Sequence, residues 1–306
     1  MINNTLQKKI IELAALAEET GIDISEEMNQ LKNKLKEAAQ TESAWKQVEL
    51  ARHPDRPYSL DYITRIFDDF TELHGDRVFG DDPAIVGGLA FLNGCPVTII
   101  ANQKGRSLQE KVTRNGGMAN PEGYRKALRL AKQAEKFHRP VITLVDTPGA
   151  YPGLGAEERG IGESIAHNLR DFSQLKTPIV CIIIGEGGSG GALGICIGDK
   201  VYMLENAIYS VISPEGCASI LLRDISRVKD AAAMLRISST DLMVFNVIDS
   251  IIEEPPGGAH TDPATCAKSI KDILIKDIAA LQSHNSETLV RCRNQKIRAV
   301  GQWYES

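Results

Sequence analysis

PVITLVDTPGAYPG (140–153) and PIVCIIIGEGGSGGALG (178–194) decide the fold class of this chain. Each opens on a short run, PVITLVD (140–146) and PIVCIIIG (178–185), that is largely apolar instead of alternating. Such runs predict strands buried on both faces. A helical pattern from Glu158 to Leu175 lies between them, and buried strands alternating with helices mean a layered α/β fold. Both runs break into loops rich in glycine and proline, and ligands bind at the carboxyl ends of strands in open α/β sheets.

Upstream, AIVGGLAFL and PVTIIA flank Asn93-Gly94-Cys95. Asn-Gly between apolar runs predicts a hairpin. A helix follows over Gly123 to Phe137, with Asn120 as cap and Pro121 at its entry. At the amino end, Leu6, Ile10, Leu13 and Ala17 form one helical stripe that Gly21 ends. Met28, Leu31 and Leu35 form another, with Asp23 and Glu26 as its capping box. Downstream, KVYML (200–204), AIYSVI (207–212) and VIDSII (247–252) read as short strands. Ser213-Pro214-Glu215 and Asp262-Pro263 open helices, and Ser286 to Val300 reads as a terminal helix.

Composition narrows the class. The chain has 306 residues, 42% apolar and 25% charged, which is globular and argues against extended disorder. Its 35 Lys plus Arg against 40 Asp plus Glu give a net charge of -5, without the basic footprint of a nucleic-acid binder. The apolar run Ile179 to Ile184 is far shorter than the ~18 residues a membrane span needs. MINNTLQKK is polar from the start and unlike a secretory leader. The six cysteines are scattered with no CxxC spacing, which excludes a zinc ribbon and a disulfide framework. The expectation is a cytoplasmic protein with reduced thiols.

GEGGSGGALG (185–194) fits three chemistries. Gly185, Gly187 and Gly190 spell the dinucleotide fingerprint, with Glu205 near the ribose-binding position. Against it, the following helix is short and interrupted by Gly194 and Gly198. Gly187, Ser189 and Gly191 spell the nucleophile elbow of a serine hydrolase, with Asp249 and then His260 or His284 in triad order. The third reading uses no side chain: Gly190 and Gly191 begin a helix, where unpaired N–H groups without Cβ atoms can approach a developing oxyanion. A tight strand-to-helix turn with packing glycines explains the same residues equally well. Asp146 in DTPGAYPG looks like the DxxG of a GTPase, but no phosphate-cradling GxxxxGK[ST] exists, and Asp146 reads better as a loop cap. Lys104, Arg106, Lys111 and Arg114 form a basic cluster that reads as a solvated face. Six histidines show no ligand spacing, so no metal is assigned to this chain.

RPYSLDYI, DDPAIVGG, NPEGYRKALRLAK, DTPGAYPG, AEERGIGESIA, GEGGSGGALG, YSVISPEG and GGAH, in this order, resemble the carboxyltransferase alpha subunit of multi-subunit, bacterial-type acetyl-CoA carboxylase. The resemblance covers roughly residues 43 to 300. It implies a crotonase-like spiral of ββα units over 43–285, an N-terminal helical extension over 1–42 and a C-terminal helix over 286–306. It further implies transfer of the carboxyl group of carboxybiotin to acetyl-CoA, giving malonyl-CoA for fatty-acid synthesis. Gly190 and Gly191 would be the biotin-side oxyanion hole, with Gly149, Ala150 and Gly188 lining the site. The alternative is a stand-alone thioester or serine hydrolase using Ser189. Implied partners are a beta subunit that holds the zinc and most of the acetyl-CoA site, a biotin carboxyl carrier protein that brings the biotin, and biotin carboxylase. An alpha2-beta2 assembly is expected, with no membrane or nucleic acid. Gly116 and Arg223 depart from the pattern, where phenylalanine and tryptophan are expected.

Overall fold

A computed structural model describes residues 25–301 together with positions 10 and 13. Of the first predicted helix only Ile10 and Leu13 are described, both helical and half-buried; the rest of it, and Asp23 of the capping box, lie outside the described residues. The chain divides into two compact units, Met1–Gln47 with Pro214–Arg236, and Val48–Ser213 with Ile237–Ser306. In the first, Met28, Leu31 and Leu35 make a half-buried stripe on the helix Ser25–Ala51, which runs past the predicted end near residue 42. Glu42 pairs with Lys229 at 3.4 Å. The helix Pro214–Cys217 continues as a π turn, Ala218–Leu222, that Arg223 ends at φ 53°.

The second unit is built on one sheet. Its strands are β1 (Asp68–Glu72), β2 (Ile85–Leu92), β3 (Cys95–Asn102), β4 (Val141–Thr147), β5 (Ile179–Gly188), β6 (Lys200–Leu204), β7 (Ile208–Ser210) and β8 (Ser250–Ile252). The order is β1-β2-β3-β4-β5-β6-β8, with β7 also on β5. β1 to β3 are antiparallel neighbours, and β3 to β8 pair in parallel. The predicted hairpin is present: Asn93 (φ 48°) and Gly94 (φ 77°) both take the left-handed conformation that a tight two-residue loop demands. β4 is buried throughout, as is β5 up to Gly187, as their largely apolar runs require. Each fully buried isoleucine of Ile182–Ile184 contributes roughly 2–3 kcal/mol.

Two boundaries differ from the sequence reading. β5 does not stop at Gly185 but continues to Gly188, because Glu186–Gly188 pair with Ile208–Ser210 of β7 and Gly187 pairs with Thr147 of β4. The helical stretch read from Glu158 to Leu175 starts only at Ile161 and runs to Gln174, because Gly160 at φ 78° separates it from a short preceding helix, Leu154–Glu158. The helix Pro121–Lys136 has the expected proline in its first turn, but Asn120 at its N-cap position makes no side-chain cap bond; its Oδ1 accepts from Arg159 instead. The consequence for function is local. Strands β3, β4 and β5 lie side by side in parallel, so their carboxyl ends bring Asn102, Thr147 and Gly188 to one edge.

Candidate active site

At that edge the ladder between β4 and β5 slips. Val145 pairs with Ile183, but the next pair is Thr147 with Gly187, so β5 carries two more residues than β4. A bulge leaves backbone groups without ladder partners, and buried ones must be satisfied elsewhere. Here side chains do it. The Ile184 carbonyl accepts from Arg56 Nε at 2.7 Å, and the Glu186 N–H donates to Asp146 Oδ1 at 2.9 Å. Arg56 is itself buried and doubly bonded to Glu254, which also accepts from the N–H groups of Asn206 and Ala259. Burial opposes the Arg56 charge, but Glu254 outweighs it and holds the pKa above the ordinary value.

The slip aims the end of β5 over the loop after β4. A Cβ on Gly188 would sit 2.1 Å from the Pro148 carbonyl oxygen, and one on Gly191 would sit 2.3 Å from the Gly149 carbonyl carbon. Neither position tolerates a side chain, because backbone meets backbone there. Gly191 is buried, and its carbonyl accepts from the Tyr124 hydroxyl at 3.2 Å. Gly190 differs. It is half-buried, and a Cβ there would find only Ile165 at an ordinary 3.6 Å. The N–H groups of Gly190 and Gly191 have no hydrogen-bond partner among the described residues, since the helix Ser189–Leu193 has only begun. Gly149 is pinned by Thr147, whose hydroxyl donates to its carbonyl and accepts its N–H. Ala150 is half-buried beside it.

Beneath this turn lies a cluster of charges. Lys104 Nζ reaches Asp146 Oδ1 at 2.8 Å and Glu186 Oε2 at 3.3 Å, and Arg52 Nε pairs with the other oxygen of Glu186. Burial works against the Lys104 ammonium, but the two carboxylates outweigh it and raise its pKa. Burial likewise works against the Glu186 carboxylate, and the charges of Lys104 and Arg52 hold its pKa below the usual value. The sequence reading missed this network. Lys104 is no solvated residue and Asp146 no simple cap. The available signal was a charge at the end of each of three adjacent apolar runs: Lys104, Asp146 and Glu186.

The rest of the basic cluster disperses. Arg106 binds Asp61 and lies 4.6 Å above the Tyr58 ring, and Arg114 donates to the Pro83 carbonyl. Lys111 lines a cavity of about 300 Å³ with Tyr58, Lys104, Val112, Gly116 and Met118. Gly116 takes φ 59° with open space where a side chain would be.

The hydrolase constellation is not assembled. Ser189 does hold the strained φ of 48° that an elbow would need. Yet Asp249 caps the Val201 N–H and pairs with Lys296 at 2.7 Å. Val201 is level with Cys181, which places Asp249 roughly 25 Å along β5 from Ser189 at ~3.3 Å per residue. His260 stacks on His53 at 3.8 Å, and no hydrogen bond joins Ser189 to a histidine among the described residues. The dinucleotide reading also fails: Gly185 and Gly187 lie within a strand, and Glu205 accepts the Glu254 N–H.

A family model described as acetyl co-enzyme A carboxylase carboxyltransferase-like matches residues 2–301. The acetyl-coenzyme A carboxylase carboxyl transferase subunit alpha of Treponema denticola is 63% identical over 305 residues and covers 100% of both chains. That of Fusobacterium nucleatum is 53% identical over 300 residues, 97% of this chain and 96% of the relative. Among solved structures, transcarboxylase 12S superposes with a TM-score of 0.59 at 23% identity, over 72% of this chain and 41% of the other. A Pseudomonas malonate decarboxylase hetero-tetramer gives a TM-score of 0.59 at 15% identity, over 72% and 89%. These likenesses establish the fold as crotonase-like.

Proposed function

The chain belongs to the family of acetyl-CoA carboxylase carboxyltransferase alpha subunits, and we propose that its Gly188–Gly191 turn is the carboxyl-donor side of the site. The reaction moves a carboxyl group to acetyl-CoA and forms malonyl-CoA, the committed step of fatty-acid synthesis. Carboxybiotin presented by a carrier protein would supply that group, and the Gly190 and Gly191 amides would face the ureido oxygen, where negative charge would gather.

The residues fit such a ligand. Gly190 offers an N–H with no partner among the described residues, at a position where a Cβ would meet only Ile165, and the Gly191 N–H follows it in the chain. Two preorganised amides stabilise a developing oxyanion by roughly 3–4 kcal/mol per donor. They cost no reorganisation, because Gly191 is locked against Gly149 and its carbonyl is held by Tyr124. Gly149, Ala150 and Gly188 shape the neighbouring wall through backbone, not side chains. Ser189 supplies the turn and no nucleophile.

The chain acts with partner subunits. A beta subunit completes the acetyl-CoA half of the site and carries the zinc, in an alpha2-beta2 assembly. A biotin carboxyl carrier protein, charged by biotin carboxylase, brings the donor. The observation that carries this reading is the pair of free amides at the slipped end of β5. The test mixes this chain with the beta subunit and follows carboxyl exchange between malonyl-CoA and free biotin. Exchange only in the mixture is expected. Turnover by this chain alone, abolished when a fluorophosphonate labels Ser189, would establish the hydrolase instead.

A further inference from the structure

Lys104 leaves the end of β3 and reaches across the carboxyl ends of two neighbouring strands. One of its partners, Asp146, is followed directly by Thr147-Pro148-Gly149-Ala150, the wall against which the glycine turn rests. The other, Glu186, is followed by Gly187-Gly188-Ser189-Gly190-Gly191, the turn itself. The two loops touch through backbone at Gly188 on Pro148 and at Gly191 on Gly149, with no room for a side chain between them. Their spacing is therefore set from below. Below them the links are the Glu186 N–H on Asp146 Oδ1 and the ammonium of Lys104 on both carboxylates. Lys104 is itself roofed by Gly117, where a Cβ would lie 2.9 Å from Lys104 Cγ.

Charge balance alone does not require a lysine here. Arg52 already neutralises Glu186, so Lys104 is formally the counter-ion of Asp146 only. Its second bond, to Glu186, is what joins one loop to the other. We infer that Lys104 is a positioning residue for carboxyl transfer, bridging Asp146 and Glu186 so that the Gly190 and Gly191 amides stay aimed at one point. This rests on the reading of the turn as the donor side of the site. A misplacement of the order of 1 Å at such a site costs about a hundredfold in rate.

The experiment compares Lys104→Met, the double variant Lys104→Met with Asp146→Asn, and Lys104→Arg, each in complex with the beta subunit. Lys104→Met leaves a buried carboxylate without its cation, so both melting temperature and kcat fall. In the double variant the charges balance again, and the amide oxygen that Asp146→Asn introduces can still accept the Glu186 N–H. The melting temperature is expected to return to within about 2 °C of wild type. The kcat is expected to stay at least about tenfold down, with the KM for malonyl-CoA within about threefold. Lys104→Arg, which keeps a cation able to span both carboxylates, should retain more kcat than the double variant. Return of wild-type kcat with the melting temperature in the double variant would reduce Lys104 to a charge neutraliser and overturn the inference. So would wild-type kcat in Lys104→Met.

Hydrogen exchange over residues 186–193 supplies a readout independent of activity. It should be faster in the double variant than in wild type, and equal exchange also counts against positioning. Were the wild-type complex to transfer no carboxyl group, the functional reading would fall, and the hydrogen-exchange comparison alone would still decide whether Lys104 fixes the turn.

Discussion

The backbone N–H of Glu186 is held by the side chain of Asp146, Oδ1 to N at 2.9 Å, at the point where the β4–β5 ladder loses register. A carboxylate stands in for the missing strand carbonyl. That substitution lets β5 end over the loop that follows β4 instead of running past it.

Asp146 should therefore be sensitive in a graded way. Asp146→Ala removes the acceptor for the Glu186 N–H and one partner of the buried Lys104, and should cost about 3–5 kcal/mol. Asp146→Asn keeps an acceptor oxygen and should cost distinctly less. Urea unfolding of both variants checks the order, and equal losses would mean that the bulge does not depend on this bond.

Ser189 adopts φ 48° without being glycine. A left-handed residue with a Cβ stores about 1–3 kcal/mol, so Ser189→Gly should not destabilise the chain and can raise its stability by up to about 1 kcal/mol. Carboxyl exchange by Ser189→Gly and Ser189→Ala should stay within about tenfold of wild type. Loss of all activity in both would restore a chemical role to the hydroxyl.

Asp76 is one of two carboxylates, with Asp81, whose pKa is held at about 2. Burial alone would raise its pKa, but the N–H groups of Val78, Phe79 and Gly80 and the Arg125 guanidinium together lower it to about 2. A depressed carboxylate stabilises the fold fully above its unfolded value near 3.9, and that stability is lost as pH falls through the folded value. The contribution is of the order of 2 kcal/mol. Asp76→Asn should lower stability at pH 7 and flatten the fall between about pH 4 and pH 2. An unchanged acid limb would show that other carboxylates carry it.

Much of this was legible in the sequence because it is local. Asn93-Gly94 fixes its hairpin through backbone conformation, and the short, largely apolar runs of β4 and β5, bounded by proline and glycine, read as strands buried on both faces. The glycines of 185–191 were misleading, since glycine density suggests a loop. Half of that run is strand, and Gly188 and Gly191 lack side chains because another segment's backbone touches them. Close approach between distant segments leaves no periodic trace. The Lys104 network was hidden for the same reason: its members are 42 and 40 residues apart in sequence and meet only once β3, β4 and β5 lie in register.

Gly191 is a poor probe of the amides, because Gly191→Val drives a Cβ into the Gly149 carbonyl carbon whatever the chemistry. It should lower the melting temperature of the chain and impair assembly. A Gly191→Val protein as stable as wild type would mean that the Gly149 loop yields easily.

Gly190 gives the direct measurement, since a Cβ there meets only Ile165 at 3.6 Å and the fold can accept it. The quantity to determine is kcat for carboxyl exchange by Gly190→Val in the intact complex with the beta subunit, at matched folded concentration. A branched side chain beside the Gly190 N–H should exclude the oxygen that it stabilises and lower kcat by about 10²–10³, with KM for malonyl-CoA within a few-fold. A wild-type kcat in a stable Gly190→Val complex would contradict the central claim and remove the Gly188–Gly191 turn from the site.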